Sequence, residues 1–222
     1  YPKANDNEME FELHGIDNEI YSKNKLFIES LGLKNAYITR DNYGFRLYHN
    51  LSTTYKAILN DDDFVYYDAK ASVPNIIREL FIQNGLSDDP FLELFNGDFY
   101  ENWGVATGVE DRDKKGIKKN FNVVLNGKEN EVDPIQLGLI KRQFPYFYTK
   151  VVQTGYAREV IKTETDIILE DIFRNLPIEK ALSIHDGFIV EKETESLVDI
   201  YLKSREMSYP SIRLVKKIIK TE

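Results

Sequence analysis

The chain has 222 residues, 42% hydrophobic and 30% charged, long enough for one large domain or two small ones with a real core, which excludes disordered and fibrous classes. It has no cysteine, which excludes a disulfide scaffold, thiol catalysis and cysteine-ligated zinc, and its three scattered histidines exclude a multi-histidine metal centre. Its formal charge of −8, from 37 acidic and 29 basic residues, argues on average against a protein living on nonspecific phosphate contacts.

No apolar run approaches the ~20 residues that span a bilayer, so a soluble, cytoplasmic protein without a membrane partner is expected. The first residue is Tyr1 rather than Met, the expectation being a piece of something longer. Residues 1–17 are polar and expected to be poorly ordered. Asn18–Leu31 carries Ile20, Leu26, Phe27, Ile28 and Leu31, a weakly amphipathic helix that ends at Gly32. Phe64–Tyr67 reads as a short strand rich in β-favouring residues. Pro74 opens a helix with Ile76, Ile77, Leu80 and Phe81 on one face, stopped at Asn84-Gly85, and a short helix follows around Phe91–Phe95.

A basic helix is predicted from about Glu110 to Val124, and another from Asp133-Pro134 to Phe144-Pro145. The clearest helix is Ala157–Leu176, closed by Pro177. Then Ala181–Ile184, His185-Asp186-Gly187 and Phe188–Val190 set two apolar runs around Asp-Gly, the strongest hairpin signal in the chain. A helix over Glu195–Glu206 and a strand at Ile212–Ile219 complete an α+β pattern.

Chemistry has few places to sit. Asp68 lies at the C-terminal end of an apolar strand and Asp186 on a hairpin turn. Carboxylates so placed in one sheet are suited to two divalent ions about 3.5–4 Å apart, which clamp the oxygens of a phosphoryl transfer. Magnesium takes one or two carboxylates plus substrate phosphates, so two aspartates suffice. Arg112, Lys115 and Lys119 share one predicted helix face, with Lys118 beside it, and an aromatic residue, Phe121, follows; such a face can hold a triphosphate while the ring stacks a base. Arg46 and His49, beyond the turn at Gly44, offer donors to a phosphate. Each signal alone has an ordinary meaning: Asp-Gly is turn chemistry, Asp68 a helix cap, the lysines a solvated face.

Taken in order over residues 40–192, these segments resemble the palm and fingers of family A (DNA polymerase I-type) DNA polymerases. Gly44-Phe45-Arg46-Leu47 is similar to the family's primer–template segment, and Tyr67–Ser72 to motif A. Gly97–Tyr100 looks like the segment that follows motif A; Arg112–Phe121 looks like motif B, Val160–Ile168 the helix before motif C, and His185-Asp186-Gly187 motif C. Motif B lacks the Tyr-Gly ending, and Gly187 stands where the family has glutamate.

The resemblance implies a palm-like antiparallel sheet with packed helices and a helical fingers insertion. The divisions it suggests are an N-terminal segment (1–40), a palm part (41–96), a fingers-like region (97–156) and a second palm part (157–222). It implies template-directed nucleotidyl transfer on a primed nucleic acid template with nucleoside triphosphates, with two Mg²⁺ held by Asp68, Asp186 and the Ala69 carbonyl. Arg112 and one of Lys115, Lys118 or Lys119 would grip the triphosphate, Phe121 would stack the base, and Arg46 and His185 would touch primer–template. Such a reduced chain is expected in a phage or mobile element, acting in a bacterial or phage-infected cytoplasm, with other domains of a replication protein as partners. Two alternatives stand beside it: a single-subunit RNA polymerase or primase, and a non-catalytic polymerase-like module that binds nucleic acid.

Overall fold

A computed structural model of the chain describes residues 17–32, 38–40, 47–49, 63–109, 113–126, 132–153, 157–184 and 186–217. In chain order these form α1 (Asn18–Ser30), β1 (Ile38–Arg40), β2 (Leu47–His49), β3 (Phe64–Ala69) and α2 (Ser72–Gln83). After a 3₁₀ turn at Pro90–Phe95 come α3 (Phe99–Thr107), α4 (Lys114–Leu125) and α5 (Pro134–Gln143). A short helix at Pro145–Phe147 runs into a π-helical turn at Tyr148–Val152. Then follow α6 (Ala157–Thr165), with a π-helical continuation at Asp166–Phe173, β4 (Leu182–Ile184), β5 (Gly187–Glu191), α7 (Glu195–Arg205) and β6 (Leu214–Lys217). The expected α+β class holds: helices accompany a four-stranded antiparallel sheet of order β4-β5-β3-β6 and a two-stranded β1–β2 ladder. The expectation of poor order in residues 1–17 falls almost wholly outside the described residues.

Two compact units divide the chain, residues 1–72 with 162–222 and residues 73–161. Their boundaries differ from the divisions at 96/97 and 156/157 read from sequence. The first unit is built on the four-stranded sheet. On one face of its central strands Tyr67 stacks on Phe188, ring centroids 5.3 Å apart, and Phe188 meets Phe173. The Tyr67 hydroxyl donates to Asp199 of α7 at 2.8 Å; burial first, then that bond, pushes its pKa well up. At the β4 edge, the buried Asn24 of α1 accepts from the Ser183 amide (2.8 Å) and hydroxyl (3.0 Å), which satisfies a polar group that would otherwise be costly to bury.

The second unit is built on aromatic rings. Phe91 stacks on Phe147 at 4.5 Å, and Trp103 meets Phe121 edge-on at 5.0 Å. Phe81, from α2, meets Phe91 and Tyr146. The Trp103 indole N–H is satisfied by Asn120, which exchanges hydrogen bonds with Gln136 of α5. Gly104 lets α4 approach α3: a Cβ there would sit 3.0 Å from Ile117.

α3 has no counterpart among the predicted helices. Its start is written in Asp98, whose carboxylate accepts from the amides of Tyr100 and Glu101. α4 begins after its own cap, Asp113, so it starts at Lys114 rather than Glu110. The helix predicted as continuous over Ala157–Leu176 widens to π geometry from Asp166, where Ile167, Ile168 and Leu169 are all buried; three consecutive apolar residues do not fit one α-helical stripe.

Candidate functional site

The backbone brings Asp68 and Asp186 to one end of the first unit's sheet. β3 pairs antiparallel with β5 so that Asp68 lies opposite Gly187, and β4 pairs with β5 so that Ile184 lies opposite Gly187. The turn therefore falls between Ile184 and Gly187, and Gly187 is already strand. One residue further along β3, the Ala69 amide donates to the Asp186 carbonyl at 2.9 Å. This bond ties the hairpin loop to the strand end that carries Asp68.

Gly187 is what permits this closeness. A Cβ built on it would lie 2.1 Å from the Tyr67 carbonyl oxygen, 3.0 Å from the Asp68 Cα and 3.1 Å from the Tyr66 ring. The need is for space, since two of the three obstacles are backbone. On the other side of β3, Asp68 lies opposite Val215 of β6.

Asp68 is 7% exposed, and one of its carboxylate oxygens accepts from the Tyr66 hydroxyl at 2.8 Å. Asp186 is half-buried. After Ala69 the chain turns through Ala71, whose φ of 48° lies in the left-handed region seldom used by a residue with a Cβ. The next residue, Ser72, donates its hydroxyl to Glu164 of α6 at 2.5 Å, with both residues buried.

Two carboxylates at one sheet end make a hard-oxygen donor set of the kind magnesium takes, the remaining positions being filled by water or phosphate. Among the described residues no group of three or more acidic or histidine side chains is arranged to hold a metal ion. The fit to Mg²⁺ therefore rests on the pair.

The remaining predicted site residues fall out differently. Lys115, Lys118 and Lys119 are exposed on α4, at spacings of three and four that share a face. None of the three has an ion-pair partner among the described residues, whereas Lys114 pairs with Asp98. Phe121 is corrected: it is fully buried among Phe99, Tyr100, Trp103 and Phe147, so its ring is core and not open to a base. Phe99 and Tyr100, in the segment that resembles the one after motif A, are likewise buried. Arg46, Arg112 and His185 lie outside the described residues.

Sequence reasoning missed Tyr66, Ser72 and Glu164. The signal for Tyr66 was available, because residues two apart on a strand share a face. Nothing in the sequence pairs Ser72 with Glu164.

Fold and site together define an α+β protein with an aspartate pair at the end of an antiparallel sheet. No protein-family model, no curated protein and no solved structure matches the chain. No helix among the described residues is long and apolar enough to cross a membrane.

Proposed function

We propose that this chain carries out template-directed nucleotidyl transfer, extending a primed nucleic acid, with Asp68 and Asp186 as the metal-binding pair. The observation that carries the reading is the bond from the Ala69 amide to the Asp186 carbonyl, which joins two segments far apart in sequence at one strand end. Asp68 and Asp186, with the Ala69 carbonyl, would hold two Mg²⁺, which supply Lewis acidity to the attacking hydroxyl and the leaving phosphate. The chain's own contribution is to fix the donors. The β3–β5 register sets Asp68 beside the hairpin, and the Tyr66 hydroxyl restrains its carboxylate. In the second unit Lys115, Lys118 and Lys119 of α4, without ion-pair partners among the described residues, form a cationic face suited to phosphates, whether of a nucleotide or of a template.

Primer extension on a short primed DNA with Mg²⁺, run with deoxynucleotides and ribonucleotides in parallel, tests the proposal. Asp68→Asn and Asp186→Asn are each expected to abolish extension while unfolding midpoints stay near wild type. Extension retained in either variant would sink the site assignment. Ribonucleotide use would move the reading to an RNA polymerase or primase. The burial of Phe121 favours one second reading, a non-catalytic nucleic-acid-binding module, because it removes the ring that resembled a base-stacking group. A folded protein that binds primed template without metal and does not extend it would support that reading.

A further inference from the structure

We infer that Tyr66 is a positioning residue for Asp68, setting its carboxylate for a divalent cation; this rests on the metal-site reading above. Tyr66 and Asp68 are two apart on β3 and so project from the same face of the sheet. The Tyr66 hydroxyl donates to Asp68 Oδ1 at 2.8 Å. Its ring passes over Gly187, with Cε2 3.1 Å from where a Cβ at 187 would stand. The tyrosine therefore touches both parts of the site: the carboxylate through its hydroxyl, and the start of β5 through its ring. Any side chain at residue 187 would have to displace that ring.

Two consequences follow. A hydrogen bond to one oxygen of a carboxylate removes rotational freedom that metal binding would otherwise have to freeze. It also fixes which way the carboxylate plane faces. Tyr66 itself need not touch the metal or the substrate. The residue is defined by its hydroxyl, and phenylalanine keeps the ring over Gly187 while deleting only the donor.

The test is direct Mn²⁺ binding to the protein without nucleic acid, followed by electron paramagnetic resonance, for wild type, Tyr66→Phe, Asp68→Asn and the double variant. Loss of such an outer partner weakens metal binding by about 10–100-fold, and Tyr66→Phe is expected to fall in that range with an unchanged unfolding midpoint. In the Asp68→Asn background, removing the hydroxyl should cost nothing more, because residue 68 no longer supplies the charged ligand that the hydroxyl positions. In primer extension Tyr66→Phe should raise the Mg²⁺ concentration for half-maximal rate, with the rate restored at high Mg²⁺ and the nucleotide KM unmoved.

Wild-type affinity in Tyr66→Phe overturns the inference, as does an equal loss in both backgrounds, since a merely structural role would give that. Wild-type protein that binds no Mn²⁺ overturns it too. The polymerase reading fails separately: Mn²⁺ binding that weakens in Tyr66→Phe, in a protein that extends no primer, would keep Tyr66 in its role and discard nucleotidyl transfer.

Discussion

Gly187 decides how closely β5 meets β3, and its substitution is the sharpest residue-scale prediction. Gly187→Ala would bring a methyl group to 2.1 Å from the Tyr67 carbonyl oxygen, and backbone cannot swing aside as a side-chain tip can. The strand pair must separate, at a cost of about 1–3 kcal/mol or more. Urea unfolding should show a lower midpoint with an unchanged slope; a midpoint equal to wild type would refute the close approach. In the sequence this glycine reads as a turn residue, because Asp-Gly is a turn dipeptide. Only the register, which pairs Gly187 with Ile184 and with Asp68, reveals it as a strand residue needed for space. Asp68 and Asp186 were readable because a strand end and a hairpin loop are local patterns. Phe121 was misread although the signal was present: Ile117, Phe121 and Val124 recur at helical spacing, the mark of a buried face. The bond from Tyr66 to Asp68 depends on side-chain reach, which spacing alone does not give.

Among the elements of the second unit, the start of α3 responds to acid and the α4 face to salt. Asp98 caps α3, and the side-chain hydrogen bond from Lys114, foremost, holds its carboxyl below the ordinary value, with backbone amides adding to the effect. A depressed folded-state pKa contributes stability that is present above the unfolded value and lost as pH falls through the folded one. Asp98→Asn keeps a capping side chain but loses the ion pair. Its stability deficit, read from urea midpoints, should therefore be largest near neutral pH, begin to shrink as pH approaches about 4, and vanish only in stronger acid, below the depressed folded-state value. A deficit independent of pH would remove the Asp98–Lys114 pair from the account. On α4, replacing Lys115, Lys118 and Lys119 together by alanine should flatten the dependence of log affinity on log salt by ~2–3 for duplex DNA, about one per phosphate contact. An unchanged slope would make that face ordinary solvated surface. The elements themselves were mostly readable, since α1, α2, α5 and the β4–β5 hairpin follow from period and caps. α3 escaped although its buried residues Phe99, Tyr100, Trp103, Gly104 and Thr107 share one face, because Gly104 and Thr107 do not mark that face as apolar and the exposed Val105 interrupts the pattern.

The whole molecule is a chain in which one unit is inserted into another, with crossings near residues 72 and 162. The mixture of helices and an antiparallel hairpin made the α+β class readable. The unit boundaries were not, because the aromatic core of the second unit gathers Phe81 and Phe91 from a segment that the sequence division gave to the first. Which rings share a core is a long-range fact that no local pattern carries. The net charge of −8 also belongs at this scale: an acidic body opposes nonspecific retention on nucleic acid, so short products per binding event are expected. The most direct test of the central claim is single-nucleotide incorporation on four primed templates that differ only in the first unpaired base, with Mg²⁺ and each nucleotide in turn, and Asp186→Asn alongside. The account predicts that the complementary nucleotide is added on each template and that the variant adds none. Addition that ignores the template base, or that survives in Asp186→Asn, would contradict it.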